Sequence, residues 1–213
     1  MRLHLIFKIF FLLTVMSGCT SSTNYNDEDL NIDRDDLSDT LVVEDNLNTP
    51  RESPYSFIAL GDSYTIGEGV NEDERWPNQF VDVAYENGVD FDQPMIIAET
   101  GWKTYDLLNA INQTNFTKKY DYISLLIGVN NQFNSRPIDE FEEDLNKLMD
   151  EMKRIKKNDG SIVIISIPDW GYTPFGESSD MSDISEQINL FNSSLRKFAT
   201  TNGLKYVDVT EIS

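Results

Sequence analysis

Phe57-Ile58-Ala59-Leu60-Gly61-Asp62-Ser63-Tyr64 is the stretch whose reading decides how this chain folds. Four apolar residues ending in a glycine are enough for a buried strand and too few for a helix. Apolar runs recur outward from it at Met95 to Ala98, Tyr122 to Ile127, Ile162 to Ile167 and Lys205 to Val209. The middle runs are continuous, as expected of parallel strands covered on both faces. Helical patterns lie between them, from Pro77 to Tyr85 and from Lys103 to Ile111. Ile138, Phe141, Leu145, Leu148, Met149, Met152 and Ile155 mark one face of a third helix. Ile184, Ile188, Phe191, Leu195 and Phe198 mark a fourth, stopping at Asn202-Gly203 as helices often do. Strands alternating with helices predict an α/β fold with a parallel sheet between helical layers. Right-handed crossovers then align the loops after each strand along one edge, where open sheets of this kind hold their ligands.

The loops at that edge carry the polar chemistry. Gly61-Asp62-Ser63-Tyr64 follows the first strand, and a serine on a tight strand-to-helix turn presents its hydroxyl outward. The plainer role for Asp62 and Ser63 is a helix N-cap. Glu99-Thr100-Gly101-Trp102 follows the second strand, where the glycine lets a backbone N–H approach a ligand or simply makes a turn. Gly128-Val129-Asn130-Asn131-Gln132 follows the third, with amide side chains that suit either an Asx turn or an oxyanion. Three such groups at one edge can converge about 3 Å from a substrate oxygen, the geometry acyl transfer requires.

Composition narrows the classes of function. With 37 acidic and 17 basic residues, the 213-residue chain has a net charge of -20, which repels nucleic-acid backbones. Its basic cluster, Lys153, Arg154, Lys156 and Lys157, follows an acidic stretch and reads as a charged helix end. One cysteine excludes a disulfide framework, and no metal cluster or cofactor fingerprint is visible. Gly67-Glu68-Gly69 is not a dinucleotide fingerprint, because Glu72 stands where the third glycine belongs. Asn31-x-Asp33-x-Asp35 fails as a calcium loop, with Asp36 at its sixth position and Val42 at its twelfth.

Residues 1–19 read as an export signal, with Arg2 and Lys8 flanking an apolar stretch that ends Met16-Ser17-Gly18-Cys19. The run is shorter than the 18 or so apolar residues of a membrane span. Cys19 sits as in a bacterial lipobox, which usually has Leu where this chain has Met16, and would then carry a lipid. Residues 20–54 are acidic and polar and predict a solvated tether holding residues 55–213 off a membrane. The expectation is an exported bacterial lipoprotein, facing the periplasm or anchored at the outer membrane or cell surface.

From residue 55 onward the chain resembles the SGNH hydrolases, the GDSL esterase and lipase family, above all small bacterial lysophospholipase-like and acyl esterase members. Phe57 to Tyr64 matches the family's first block, which implies Ser63 as nucleophile and its backbone N–H as an oxyanion donor. The second block's glycine falls on Gly101, implying a second backbone donor. The third falls on Gly128 to Asn131, implying Asn130 as side-chain donor, with Asn131 in place of the usual Asp. Ile167 to Phe175 resembles the loop after the fourth strand in lipoprotein-like relatives. Trp170 and Phe175 there border an acyl pocket or are surface packing.

The family's fourth block, Asp-x-x-His near the C-terminus, has no match, since the sole histidine is His4 in the signal. Asp208 fits no part of that block, and Asp169 and Asp183 read as loop and cap residues. The resemblance therefore implies a three-layer α/β/α fold with a flavodoxin-like, parallel five-stranded sheet whose final helix is missing. It further implies an ester hydrolase working through an acyl-enzyme on a small ester or lipid-like substrate, nearly inert for want of its base, and without a cofactor. The other function expected is non-catalytic: a lipid-anchored protein that binds acyl or acetyl groups in the retained oxyanion pocket.

Overall fold

A computed structural model describes residues 55–176 and 181–210. The expected signal at residues 1–19, the lipidation site Cys19 and the tether at residues 20–54 lie outside the described residues.

The five apolar runs form one parallel sheet: β1 (Phe57–Gly61), β2 (Met95–Ala98), β3 (Tyr120–Leu126), β4 (Lys156–Ile165) and β5 (Lys205–Val207). Their order is β2-β1-β3-β4-β5, the flavodoxin arrangement expected from the sequence. The chain winds outward from β1 in one direction and then reverses. The reversal point lies between β1 and β3, at whose C-terminal ends Ser63 and the Gly128 turn emerge.

The longer helices are α2 (Trp76–Glu86), α3 (Thr104–Gln113), α5 (Ile138–Ile155) and α6 (Met181–Thr201). Short α1 (Ser63–Ile66) and α4 (Val129–Phe133) start directly after β1 and β3. In α5 the apolar residues share one face, Asp139 and Glu140 open the first turn, and Lys153 and Arg154 close the last. Both charge placements complement the helix dipole.

Alternation along the strands sorts the two faces. Ile58 and Leu60 of β1, Ile123 and Leu125 of β3, and Ile162 and Ile164 of β4 pack with Leu107 and Ile111 of α3, Phe141 and Leu148 of α5, and Leu195 of α6. On the other face, Phe57 and Ala59 meet Phe80, Val81 and Ala84 of α2, with Phe57 edge-on to Phe80 at 5.4 Å. Leu126, Ile165, Val207 and Val209 make a third apolar group near the strands' C-terminal ends, with Tyr64 and Trp76 against it.

Several boundaries differ from the sequence expectation. β4 begins at Lys156 instead of Ile162, because Lys156 pairs with Tyr120 before the register shifts and Ser161 takes up pairing with Tyr122. Lys156 curls over this irregularity, its Nζ donating to the carbonyls of Lys157, Asn158 and Gly160 at 2.7, 3.1 and 2.9 Å. Lys157 pairs with Asp121 at 2.8 Å. Of the basic cluster read as a helix end, only Lys153 and Arg154 lie in the helix. β5 ends at Val207, but the chain stays docked beyond it, because the Val209 N–H donates to Ser166 Oγ at 2.8 Å.

Candidate active site

At the end of β1 the chain must pass close to two neighbours. A Cβ on Gly61 would lie 2.1 Å from Thr65 Oγ1 and 2.5 Å from the Leu126 carbonyl, so this position excludes side chains. Asp62 then caps α1, its Oδ1 accepting from the Tyr64 N–H at 3.1 Å. The N-cap role open to both Asp62 and Ser63 therefore belongs to Asp62. Ser63 becomes the first residue of α1, and its N–H is one of the four that a helix start leaves without an intrahelical acceptor.

Ser63 and Tyr64 line a cleft of about 230 Å³ together with Val129, Asn130, Phe133, Trp170 and Phe175. The first and third loops thus meet, as the sequence suggested. The second loop joins through hydrogen bonds. Asn130 Nδ2 donates to the Trp102 carbonyl at 3.0 Å, which orients the amide and leaves its second N–H. Asn131, buried beside it, accepts from the Thr104 N–H at 3.1 Å and donates to Thr104 Oγ1 at 2.9 Å. That hydroxyl in turn donates a hydrogen bond to Asp144 Oδ2 at 2.9 Å. Asn130 and Asn131 are thus helical residues of α4 that lace the Gly101 loop to it, rather than Asx-turn residues. Gly101 sits in that loop with φ of 85°, a conformation that favours glycine, with open space on its Cβ side.

A second opening of about 250 Å³ lies on the other side of Ser63, lined by Gly67, Glu68, Glu74, Arg75, Trp76, Leu126, Ile165, Pro168 and Val209. Glu68 at its rim accepts from the Thr100 hydroxyl. No hydrogen bond found among the described residues joins Ser63 Oγ to a histidine or carboxylate, and His4 lies outside them. Asp169, Asp183 and Asp208 have structural partners. Asp169 caps the Trp170–Tyr172 turn and accepts from Ser185 at 2.6 Å. Asp183 accepts from Gln187 at 2.7 Å, and Asp208 from Arg196 at 2.6 Å.

The aromatic side of the cleft is built. Trp170 is buried, its Nε1 donating to Gln132 Oε1 at 2.8 Å, while Gln132 Nε2 donates to Gln187 at 2.9 Å. Phe133, 52% exposed, and Phe175, 70% exposed, lean on Trp170 with ring centroids 5.5 and 5.7 Å away. Trp170 is therefore a packed support, and Phe175 an exposed wall. Gln132, one of the amides after the third strand, thus supports Trp170, and Phe133 is a cleft residue that the sequence motifs do not single out. The available signal was the five-residue helix itself, which turns Phe133 to the same side as Asn130.

Electrostatically the site is dominated by Asp62. It is wholly buried, its Oδ2 has no hydrogen-bond partner among the described residues, and burial pushes its carboxyl up to about 7 against the opposing pull of the nearby Tyr64 and Gly128 N–H groups. Burial, with Asp62 and Asp169 nearby, pushes the Tyr64 hydroxyl up to about 12. Among the described residues no group of three or more His, Cys, Asp or Glu could hold a metal ion, and no helix is long and apolar enough to cross a membrane.

Residues 59–213 match the GDSL-like lipase/acylhydrolase family. A multidomain esterase from Ruminococcus flavefaciens is 30% identical over 118 residues, which are 53% of this chain and 15% of that protein. The chain thus spans a small part of that relative's length. Among solved structures, a lipolytic G-D-S-L family protein from Veillonella parvula superposes with TM-score 0.58 at 21% identity, covering 73% of this chain and 78% of the other. AlinE4, an SGNH-hydrolase family esterase, superposes with TM-score 0.60 at 17% identity, covering 75% of this chain and 77% of the other. A GDSL-like lipase from Bacteroides thetaiotaomicron gives 0.53 at 15% identity, covering 72% of this chain and 68% of the other. At these identities the structural likeness establishes the fold.

Proposed function

Because this chain belongs to the GDSL-like lipase/acylhydrolase family, we propose that it cleaves small carboxylic esters through an acyl-enzyme on Ser63. Ser63 Oγ attacks the ester carbonyl, and the developing oxyanion is met by the backbone N–H groups of Ser63 and Gly101 and by Asn130 Nδ2. The observation that carries this reading is the shared cleft of Ser63 and Asn130, with the Gly101 loop hydrogen-bonded to the same turn. The acyl group rests against Phe133 and Phe175, which favours uncharged apolar acyl groups.

A serine attacks efficiently only when a base takes its proton, and the single histidine of the sequence is His4. In another serine hydrolase, loss of the base lowers kcat by about six powers of ten, leaving oxyanion and binding effects. The chain as given therefore hydrolyses esters slowly. Among the described residues no histidine or carboxylate is hydrogen-bonded to Ser63 Oγ, which also favours a second reading, in which the cleft binds acyl or acetyl groups without turning them over. Lipidation of Cys19 in an exported lipoprotein places either activity at a bacterial membrane surface.

Hydrolysis of p-nitrophenyl acetate and hexanoate by the purified protein, compared with Ser63→Ala, tests the first reading. Slow hydrolysis lost in the variant supports it. Equal rates in both proteins, with acyl binding retained, support the second. Radiolabelled fatty acid entering the wild type and not Cys19→Ala tests the anchor.

A further inference from the structure

We propose that the acidic and apolar segment from Asp39 to Asp45 of this chain docks into a basic groove at the sheet edge opposite Ser63. The inference is independent of the chemistry at Ser63.

The groove, of about 350 Å³, is lined by Phe116, Thr117, Lys118, Lys119, Arg154 and Ile155. Phe116 to Lys119 lead into β3, and Arg154 and Ile155 end α5 directly before β4. It therefore lies at the N-terminal ends of the strands, whereas Ser63 and Asn130 follow their C-terminal ends. Phe116 and Ile155 give it apolar surface. The Arg154 guanidinium lies 5.5 Å from the Phe116 ring.

Charge at this corner runs against the rest of the molecule. Lys156 pairs in register with Tyr120, so Lys153, Lys156 and Lys157 join Lys118, Lys119 and Arg154. Asp92 answers Lys118 at 2.9 Å, Asp121 answers Lys157 at 2.8 Å, and Glu151 answers Arg154 at 2.6 Å. Lys156 Nζ is taken up by main-chain carbonyls. Among the described residues, the Lys119 and Lys153 side chains have no ion pair. With Asp150 and Asp159 counted as well, cations still outnumber carboxylates six to five here, while the chain as a whole has 37 acidic residues to 17 basic.

The chain itself supplies the partner, because it enters the domain at this corner. The Ser56 N–H donates to Asp121 Oδ2 at 2.7 Å, and the Ser56 hydroxyl donates to the Lys119 carbonyl at 3.3 Å. Whatever precedes Ser56 thus begins beside the groove. Residues 20–54 contain ten acidic residues and two basic ones. Within them, Leu41-Val42-Val43 stands between Asp39 and Glu44-Asp45, acids flanking an apolar centre as the groove's cations flank Phe116 and Ile155. The chain from Asp45 to Ser56 spans up to about 36 Å, ample for a groove whose Lys119 touches Ser56. Covalent linkage makes the encounter intramolecular, at an effective concentration in the millimolar range, so exposed ion pairs that are individually weak suffice together. An anionic surface or a nucleic acid would first have to displace this acidic segment. Docking shortens the free connection from Cys19 to the domain from residues 20–54 to residues 20–38 and leaves the cleft at Ser63 open.

Backbone amide exchange in the full chain tests this, read as protection of Leu41 to Asp45 relative to the rate their sequence sets. At low salt, protection of at least about 5-fold is expected, and it should vanish in 1 M NaCl, where charges are screened within about 3 Å. It should also vanish in the double variant Lys118→Glu, Lys119→Glu, whose altered side chains are exposed and leave the core intact. Adding Glu44→Lys and Asp45→Lys to that variant should restore protection through the exchanged charges. Equal exchange in the wild type and the double variant overturns the proposal. Protection that disappears on dilution overturns it in favour of a second copy as partner. Binding of an unprotected chain to phosphatidylglycerol vesicles, lost in the double variant, overturns it in favour of lipid headgroups.

Discussion

Asp62→Asn should change the pH dependence of folding stability more than any other single substitution at this site. The folded carboxyl titrates at about 7, against 3.8 for the ordinary group, because burial penalises its charge. A raised folded pKa means that the fold favours the protonated form, so the benefit is complete below the ordinary value. It is lost progressively as pH rises from about 4 toward 7. A difference of about three pH units corresponds to at most about 4 kcal/mol of stability lost across that window. Asn cannot ionise, keeps an oxygen for the Tyr64 N–H, and buries an amide whose cost of about 1 to 3 kcal/mol does not depend on pH. Asp121 and Asp208, held below the usual carboxylate range although burial opposes this, by Lys157 and Ser56 and by Thr210 and Arg196 respectively, contribute the opposite slope. Their stabilisation disappears as pH falls, equally in both proteins, and cancels in the comparison. Urea unfolding between pH 4 and 8 should show Asp62→Asn gaining steadily on the wild type. Parallel stability curves across that range would refute the argument, whatever the absolute level of either protein.

Gly128→Ala places a Cβ against Phe141 and Ile167 at a φ of 127° and should cost at least about 2 kcal/mol in urea unfolding. Asn192→Ala removes a buried side chain that accepts from the Ile167 N–H at 2.7 Å and donates to the Ile167 carbonyl at 2.9 Å, and should destabilise by about 2 to 4 kcal/mol in the same assay. Phe133→Ala and Phe175→Ala should each weaken hexanoyl ester binding by about 5- to 30-fold while leaving acetyl esters nearly unchanged, equivalent to about 1 to 2 kcal/mol of apolar contact. Competition kinetics with the two esters measures this.

The fold was legible because its periodicities are unmixed. The apolar runs alternate with amphipathic stretches such as Ile138 to Ile155, and the five strands and four longer helices follow from that pattern. The β4 start was not legible, because Lys157 to Gly160 is polar and joins the sheet only through the register shift opposite Tyr120 and Tyr122. Tertiary pairing, which local pattern does not encode, decides that boundary. Ser63 and Asn130 were legible as motif residues, and the structure brings both to one cleft. The partners holding them were not. Asn131, Thr104 and Asp144 lie on three elements, and no local spacing links residues 27 and 40 positions apart.

One regularity does connect the hidden partners with the visible motifs. At each turn, a residue facing the cleft is next to, or close in sequence to, one facing inward: Ser63 beside Asp62, and Asn130 beside Asn131. Near Gly101, Thr104 donates its N–H to Asn131 and accepts from the Asn131 amide at its hydroxyl. The start of a short helix makes this unavoidable, since adjacent side chains there diverge by about 100° and one of the two must enter the protein. The inward residue cannot be an aliphatic one without abandoning backbone donors at the very turn where helix geometry already leaves them unpaired. A short polar side chain is therefore required twice over, first to satisfy those donors and then to hold its exposed neighbour in place. A motif of this kind is best understood as alternating contact and anchor residues. The anchors hold the cleft-facing residues in place without themselves lining the cleft.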